Sequence, residues 1–175
     1  MASSAVPHSS VLHALAGSAD FSDTHAGTVP GSGIRRDDVA NAFFRSMPAW
    51  VDWLFWLRNR LVGIVGLKTG DDRPRDIDPP YVVGRAIGLF RVIEVAEHEV
   101  VFGDDDRHLD FRVSMMAVPK PADGDGQPAT EIRVSTLVVI RSPLGRWYLA
   151  VVKPFHRVIA RAVFGRMLRQ LRRMA

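Results

Sequence analysis

The chain has no cysteine. That absence excludes disulfides, thiolate metal sites and cysteine nucleophiles, and it fits a reducing compartment, so a cytoplasmic location is the expectation. Lysine is scarce as well: Lys68, Lys120 and Lys153 are the only ones among 23 basic residues, the rest being arginine. This reads as codon usage in a GC-rich genome rather than selection for guanidinium chemistry. Acidic residues are missing from Ile132 to the end, where ten basic residues stand between Arg133 and Arg173. The preceding part carries thirteen basic residues against all nineteen acids, so the overall +4 divides into +10 and −6. Such asymmetry marks an anionic-surface contact or a basic tail paired with an acidic middle inside one fold. Internal pairing is the simpler reading. Nucleic acid is not favoured, and weak contact with anionic membranes stands as an alternative.

Long apolar runs are lacking too. The most apolar stretch, Trp50–Leu67, is interrupted by Asp52, Arg58, Asn59 and Arg60, which makes it a poor membrane span. The mild apolar run Val11–Ala16 is not preceded by the basic segment of a signal peptide. Gly66-Leu67-Lys68-Thr69-Gly70 has neither the spacing nor the context of a phosphate loop. There is no dinucleotide fingerprint, nucleophile elbow or paired-histidine zinc helix, and Asp123-Gly124-Asp125-Gly126 lacks the distal glutamate of a calcium loop. No cofactor and no metal are therefore implied.

What is present is enough for one domain: 175 residues, 47% of them apolar, bury roughly two thirds of their unfolded surface. Residues 1–18 are Ser-, Ala-, Gly- and His-rich without periodicity and are expected to be loose, with a single α+β domain over 19–175. Asp20–Val29 reads as a first strand, stopped by Pro30-Gly31-Ser32-Gly33. Asp37 or Asp38 caps a short helix running through Phe44. Pro48 starts a second helix, with Trp50, Leu54, Leu57, Leu61 and Ile64 on one stripe. From Val82 the period changes towards two: one strand carries Ile87, Leu89, Ile93 and Val95, and a short one Val100–Phe102. The next sets Arg107, Leu109, Phe111, Val113 and Met115 against Asp106, His108, Asp110, Arg112 and Ser114. After a hairpin loop at Pro119–Pro128, Ile132, Val134, Val138 and Ile140 form the inner face of a last strand. Ser142-Pro143 opens a long final helix, which Pro154 is expected to kink. Its apolar stripe is Tyr148, Val152, Phe155, Ile159 and Ala162, and its basic stripe Lys153, Arg157 and Arg161. The expected fold is thus an antiparallel β-meander gripped by a long kinked C-terminal helix, with two helices before the meander. That is a helix-grip, START-like arrangement, in which a cavity between helix and sheet is common.

Three clusters carry candidate chemistry. Asp106, His108, Asp110 and Arg112 set carboxylates beside an imidazole, as acid–base catalysis needs. Their parity opposes the apolar face, so a cross-strand charge ladder with Glu131, Arg133 and Arg141 is the alternative. A metal is not favoured there, since no second histidine lies at ligand spacing. Trp50, Trp53 and Trp56 suit core or homodimer contact better than a pocket or membrane interface. His156, in the last helix, is a lone histidine that either faces a cavity or is simply packed.

Pro48-Ala49-Trp50-Val51-Asp52, Leu57-Arg58-Asn59-Arg60, Gly66-Leu67-Lys68 and the run Asp105–Arg112 resemble a bacterial family known only as domain of unknown function 2867. Gly145-Arg146-Trp147-Tyr148-Leu149 and Val152-Lys153-Pro154-Phe155-His156 complete the resemblance, which spans the chain from about Asp20 onward. Members of that family occur as small proteins or fused to nucleotide-binding reductase-like domains, and neither form assigns chemistry to these residues. The functional expectation comes from the architecture: a module binding a small apolar or amphipathic ligand, walled by Leu109, Phe111, Val113 and Val138 with Phe155 and Ile159 opposite. A membrane or protein-interaction module using the basic helix is the second reading. An enzyme built on His108 and Asp110 is the third.

Overall fold

The structure, a computed structural model, describes residues 6–47, 77–122 and 126–175. The tryptophan-bearing helix expected from Pro48, with Trp50, Trp53 and Trp56, lies outside the described residues. In chain order the elements are a short helix α1 (His13–Ala16), strand β1 (Phe21–Pro30), helix α2 (Arg36–Arg45), strands β2 (Ala86–Ile87), β3 (Phe90–Val95), β4 (Glu99–Asp105), β5 (Leu109–Lys120) and β6 (Ala129–Ile140), and helix α3 (Pro143–Leu171). The strands form one six-stranded sheet in the order β1-β6-β5-β4-β3-β2, with every neighbouring pair antiparallel. The first strand therefore lies beside the last, Phe21 opposite Val138 and His25 opposite Val134. Successive side chains of a strand alternate between faces, so β5 turns Leu109, Phe111, Val113 and Met115 towards the helices. This is the α+β architecture read from the sequence, a meander gripped by a long terminal helix.

Local chemistry explains the boundaries. The Asp38 carboxylate reaches back to accept the Arg35 amide at 2.8 Å, closing the first turn of α2 in the manner of a capping box. The Ser142 hydroxyl accepts the Gly145 amide at 3.2 Å, and Pro143 occupies the first turn of α3, where its missing N–H is no loss. The helix continues across Pro154 to Leu171.

The structure corrects three expectations. The strand read through Ile87, Leu89, Ile93 and Val95 is two strands, β2 and β3, joined at Gly88, whose φ of 61° suits the first central position of a tight hairpin turn. Asp106, Arg107 and His108 are not part of β5 but form the turn between β4 and β5. Residues 6–18, expected to be loose, pack on the face of the sheet remote from α3: Val6 and Leu12 are buried against Val101 and Leu137. Buried Glu99 fixes them there, accepting the Ser10 hydroxyl at 2.6 Å and the Val11 amide at 2.9 Å. The Ser114 hydroxyl donates to the same carboxylate.

On the other face, α2 and the last third of α3 close the main core. Val39, Ala40 and Phe44 meet Phe164, Met167, Leu168 and Leu171 over Phe102, Met115 and Ile132. Phe44 packs edge-on against Phe102, with ring centroids 5.2 Å apart. The buried residues of α3 are Gly145, Val163, Phe164, Met167, Leu168 and Leu171. Apart from Gly145, its first five turns therefore bury no residue fully, and the sheet beneath them is not close-packed.

Candidate functional site

That stand-off leaves a cavity of about 300 Å3 between the sheet and the first two thirds of α3. Its sheet side includes Leu109, Phe111, Val113, Val134 and Val138, and its helix side Leu149, Val152, Ile159 and Val163. Of the six wall residues read from the sequence, Leu109, Phe111, Val113, Val138 and Ile159 line it. Phe155 does not: it is 49% exposed. The lining stripe of α3 runs Tyr148, Val152, His156, Ile159 and Val163, and at about 100° per residue Phe155 falls on its outer edge. Where a hydrophobic side chain was expected, the histidine faces the cavity.

The polar row of four residues is divided. Asp110 pairs with Arg141 at 2.6 Å and Arg112 with Asp105 at 2.7 Å, both on the face away from the cavity. These two pairs, with Glu131 held by Lys120 at 2.9 Å and by Arg133 at 2.6 Å, make the charge ladder that the alternation suggested. Asp106 and His108 belong to the turn, and there they join Asp104 in the cavity lining. His108 is fully engaged: its Nε2 accepts from Arg107 Nε at 2.7 Å and its Nδ1 lies 2.8 Å from the Ser142 hydroxyl. With Nε2 an acceptor, Nδ1 carries the proton and donates to Ser142. The ring thus braces the start of α3. The structure does not bring His108 and Asp110 together as an acid–base pair.

A different polar group occupies the cavity, and its members come from β1 and α3. His25 and His156 line the wall, and the Asp23 carboxylate stands behind both, 3.3 Å from His25 Nε2 and 3.4 Å from His156 Nε2 through the same oxygen. The side chains of His25 and Asp23 are 9% and 13% exposed. Neither contact has hydrogen-bond geometry, so both ring nitrogens of His25 and Nε2 of His156 are buried without a hydrogen-bond partner among the described residues. Burial pushes the His156 imidazole below its ordinary pKa, and the nearby Asp23 carboxylate only partly opposes this. The Phe21 ring packs edge-on against His156 at 5.3 Å, and the Lys153 ammonium lies 5.5 Å from the centre of that same ring. Among the described residues no group of three or more His, Asp or Glu side chains is placed to hold a metal ion.

Reading the sequence found His156 as a lone candidate and missed Asp23 and His25. The signal was present: in Phe21-Ser22-Asp23-Thr24-His25, the residues at Phe21, Asp23 and His25 share one face of a strand. Two polar residues on the face that carries Phe21 and Val29 are out of place in a purely structural strand.

A family model described as "Protein of unknown function (DUF2867)" matches residues 15–163. No curated protein matches the chain in sequence. Among solved structures, truncated norcoclaurine synthase from Thalictrum flavum aligns at 12% identity and a TM-score of 0.42, over 86% of this chain and 92% of that one. Norcoclaurine synthase from the same plant, in complex with dopamine and hydroxybenzaldehyde, aligns at 14% identity and a TM-score of 0.43, over 95% of this chain and 94% of the other. At such identities neither structure assigns a role to a residue of this chain.

Proposed function

We propose that this chain, which belongs to the family Protein of unknown function (DUF2867), binds a small apolar or amphipathic molecule in the cavity between its sheet and α3. One observation carries this reading: the first two thirds of α3 are held off the sheet over a space walled by apolar side chains. Closing that space would gain apolar burial and packing contacts, yet helix and sheet leave it open. At about 300 Å3 the cavity is at the lower end of small-molecule sites. A dry cavity of about 150 Å3 accommodates one benzene, so the ligand is about the size of two fused rings.

Naphthalene is a suitable probe. Titration followed by NMR should show saturable one-site binding, with shifts centred on Val113, Val138 and Ile159. Ile159→Trp, which fills the space, should abolish them while the protein stays folded. A protein that gives no saturable shifts with naphthalene or similar two-ring probes is not a binding module of this kind.

A second reading has its own observation. Trp147, Val151, Phe155 and Val158 are exposed on the outer face of α3, spaced to form one stripe, and Arg146, Arg157 and Arg161 border it on one side. Apolar side chains edged by arginines suit an anionic bilayer surface. No helix among the described residues is long and apolar enough to cross a membrane, so this would be a surface contact. Flotation with phosphatidylglycerol vesicles should show binding at low salt that weakens at high salt. Absence of binding at low salt removes this reading.

A further inference from the structure

Burying Asp23, His25 and His156 together is costly for a cluster that serves the fold alone. Buried polar groups are ordinarily hydrogen-bonded, and leaving one unpaired is costly. Here three ring nitrogens from two elements are buried without a hydrogen bond among the described residues; two of them have only the Asp23 carboxylate at ion-pair distance, and the two rings that carry them line a cavity. Taking the cavity as the ligand site proposed above, we infer that His25 and His156, backed by Asp23, are its recognition centre and take the hydroxyl group of an otherwise apolar ligand.

The class follows from the donors and acceptors present. A neutral imidazole has one N–H donor and one acceptor nitrogen, and an ionised carboxylate only accepts. A partner for this set must donate and accept at one atom, which a hydroxyl does. A ketone only accepts and would leave the acceptor nitrogen and Asp23 unserved. A ligand carboxylate would sit against Asp23, a like charge with little water between them. An ammonium only donates and would leave the imidazole N–H donors unserved, and the Lys153 ammonium already lies over the neighbouring Phe21 ring. The lowered basicity of His156 agrees with a neutral, hydrogen-bonding centre. Phe21, edge-on to His156, places an aromatic wall beside the hydroxyl, where the apolar body of the ligand would begin.

The test compares four probes of one shape: naphthalene, 2-naphthol, 2-naphthoate and 2-naphthylmethylamine, titrated into the full chain by NMR. Wild-type protein should bind 2-naphthol about tenfold more tightly than naphthalene, the ratio that roughly one additional buried hydrogen bond gives. The His25 and His156 ring nitrogens should shift with 2-naphthol and not with naphthalene. In Asp23→Asn and in His25→Phe the preference should fall to about one while naphthalene still binds; if either variant fails to fold, His156→Phe serves the same purpose. Equal affinity for naphthol and naphthalene, or tighter binding of the naphthoate or the amine, overturns the assignment and leaves the apolar cavity intact. Failure of all four to bind overturns the cavity reading itself, so the two outcomes are distinct.

Discussion

The ring of His108 and the hydroxyl of Ser142 meet at 2.8 Å across 34 residues of sequence, and the pair ties the β4–β5 turn to the first turn of α3. The same hydroxyl accepts the Gly145 amide, so one serine oxygen both caps the helix and docks it. Loss of a side-chain cap costs about 1 kcal/mol, and loss of a part-buried hydrogen bond about as much again. Ser142→Ala should therefore destabilise by about 2 kcal/mol and His108→Ala by about 1 kcal/mol in urea unfolding. Because the two share one contact, the double variant should fall short of the sum by at least about 0.5 kcal/mol. Strict additivity would mean that the two side chains do not interact in solution.

Gly145 gives a sharper test of the same junction. An ideal Cβ built on it would lie 2.0 Å from the His108 carbonyl oxygen, a backbone atom that cannot swing aside. Replacing a helical glycine by alanine ordinarily stabilises by about 0.5–1 kcal/mol. Here the overlap should reverse the sign, with Gly145→Ala destabilising by about 1–3 kcal/mol, the usual range for overpacking. A stabilised Gly145→Ala would show that α3 does not start where it is drawn.

The N-terminal segment has its own anchor. Glu99 is 2% exposed and accepts from Ser10, Val11 and Ser114, so Glu99→Ala leaves three donors to find other partners. A cost of about 2–3 kcal/mol is expected, because only the Ser10 and Val11 donors can recover by peeling into water. Hydrogen exchange separates the effects: the Val11 and Leu12 amides should lose protection in Glu99→Ala while those of β5 and β6 keep theirs. Unchanged protection at Val11 would mean that burial of Val6 and Leu12 alone holds the segment.

These junctions also mark where sequence reading stopped. Alternation exposed β5 and β6, and Ser142-Pro143 exposed the start of α3, because each signal is local: a two-residue period, or a cap beside a proline. Five of the six wall residues followed from the same periodicities. Phe155 did not, because stripes through Phe155 or His156 both fit helical spacing, and hydrophobicity favoured the wrong one. Gly88 went unread as a turn because Ile87 and Leu89 continue the alternation across it. The segment at residues 6–18 is too short and irregular to show a period, and it is ordered by Glu99, some 88 positions away. Asp23 and His25 stand out as polar residues on an apolar strand face but not as a site, because their partner His156 reaches them only when β1 pairs with β6 and α3 folds back across both.

His156 supplies the prediction that bears most directly on the cavity. Burial lowers its pKa from the ordinary 6.5, against the opposing pull of Asp23, and the neighbouring His25 lowers it further. In the unfolded chain the ring titrates near the ordinary value. Between the lowered native pKa and about 6.5 the unfolded state therefore holds a proton that the native state lacks, and stability rises with pH across that window. Above it the contribution is complete; as pH falls through the window towards the native pKa it is progressively lost. One such group gives a slope of at most about 1.4 kcal/mol per pH unit. Other groups titrate nearby, so the informative quantity is a difference. Unfolding free energies of wild type and His156→Phe should run parallel above about pH 7 and cease to be parallel below it, the variant losing less as the medium becomes acidic. Phenylalanine can keep the edge-on contact with Phe21 and the cavity wall, so the comparison isolates the proton. Curves that stay parallel down to pH 5 would mean that His156 takes up its proton in the folded protein as readily as in water, and that the end of the cavity near Asp23 is wet.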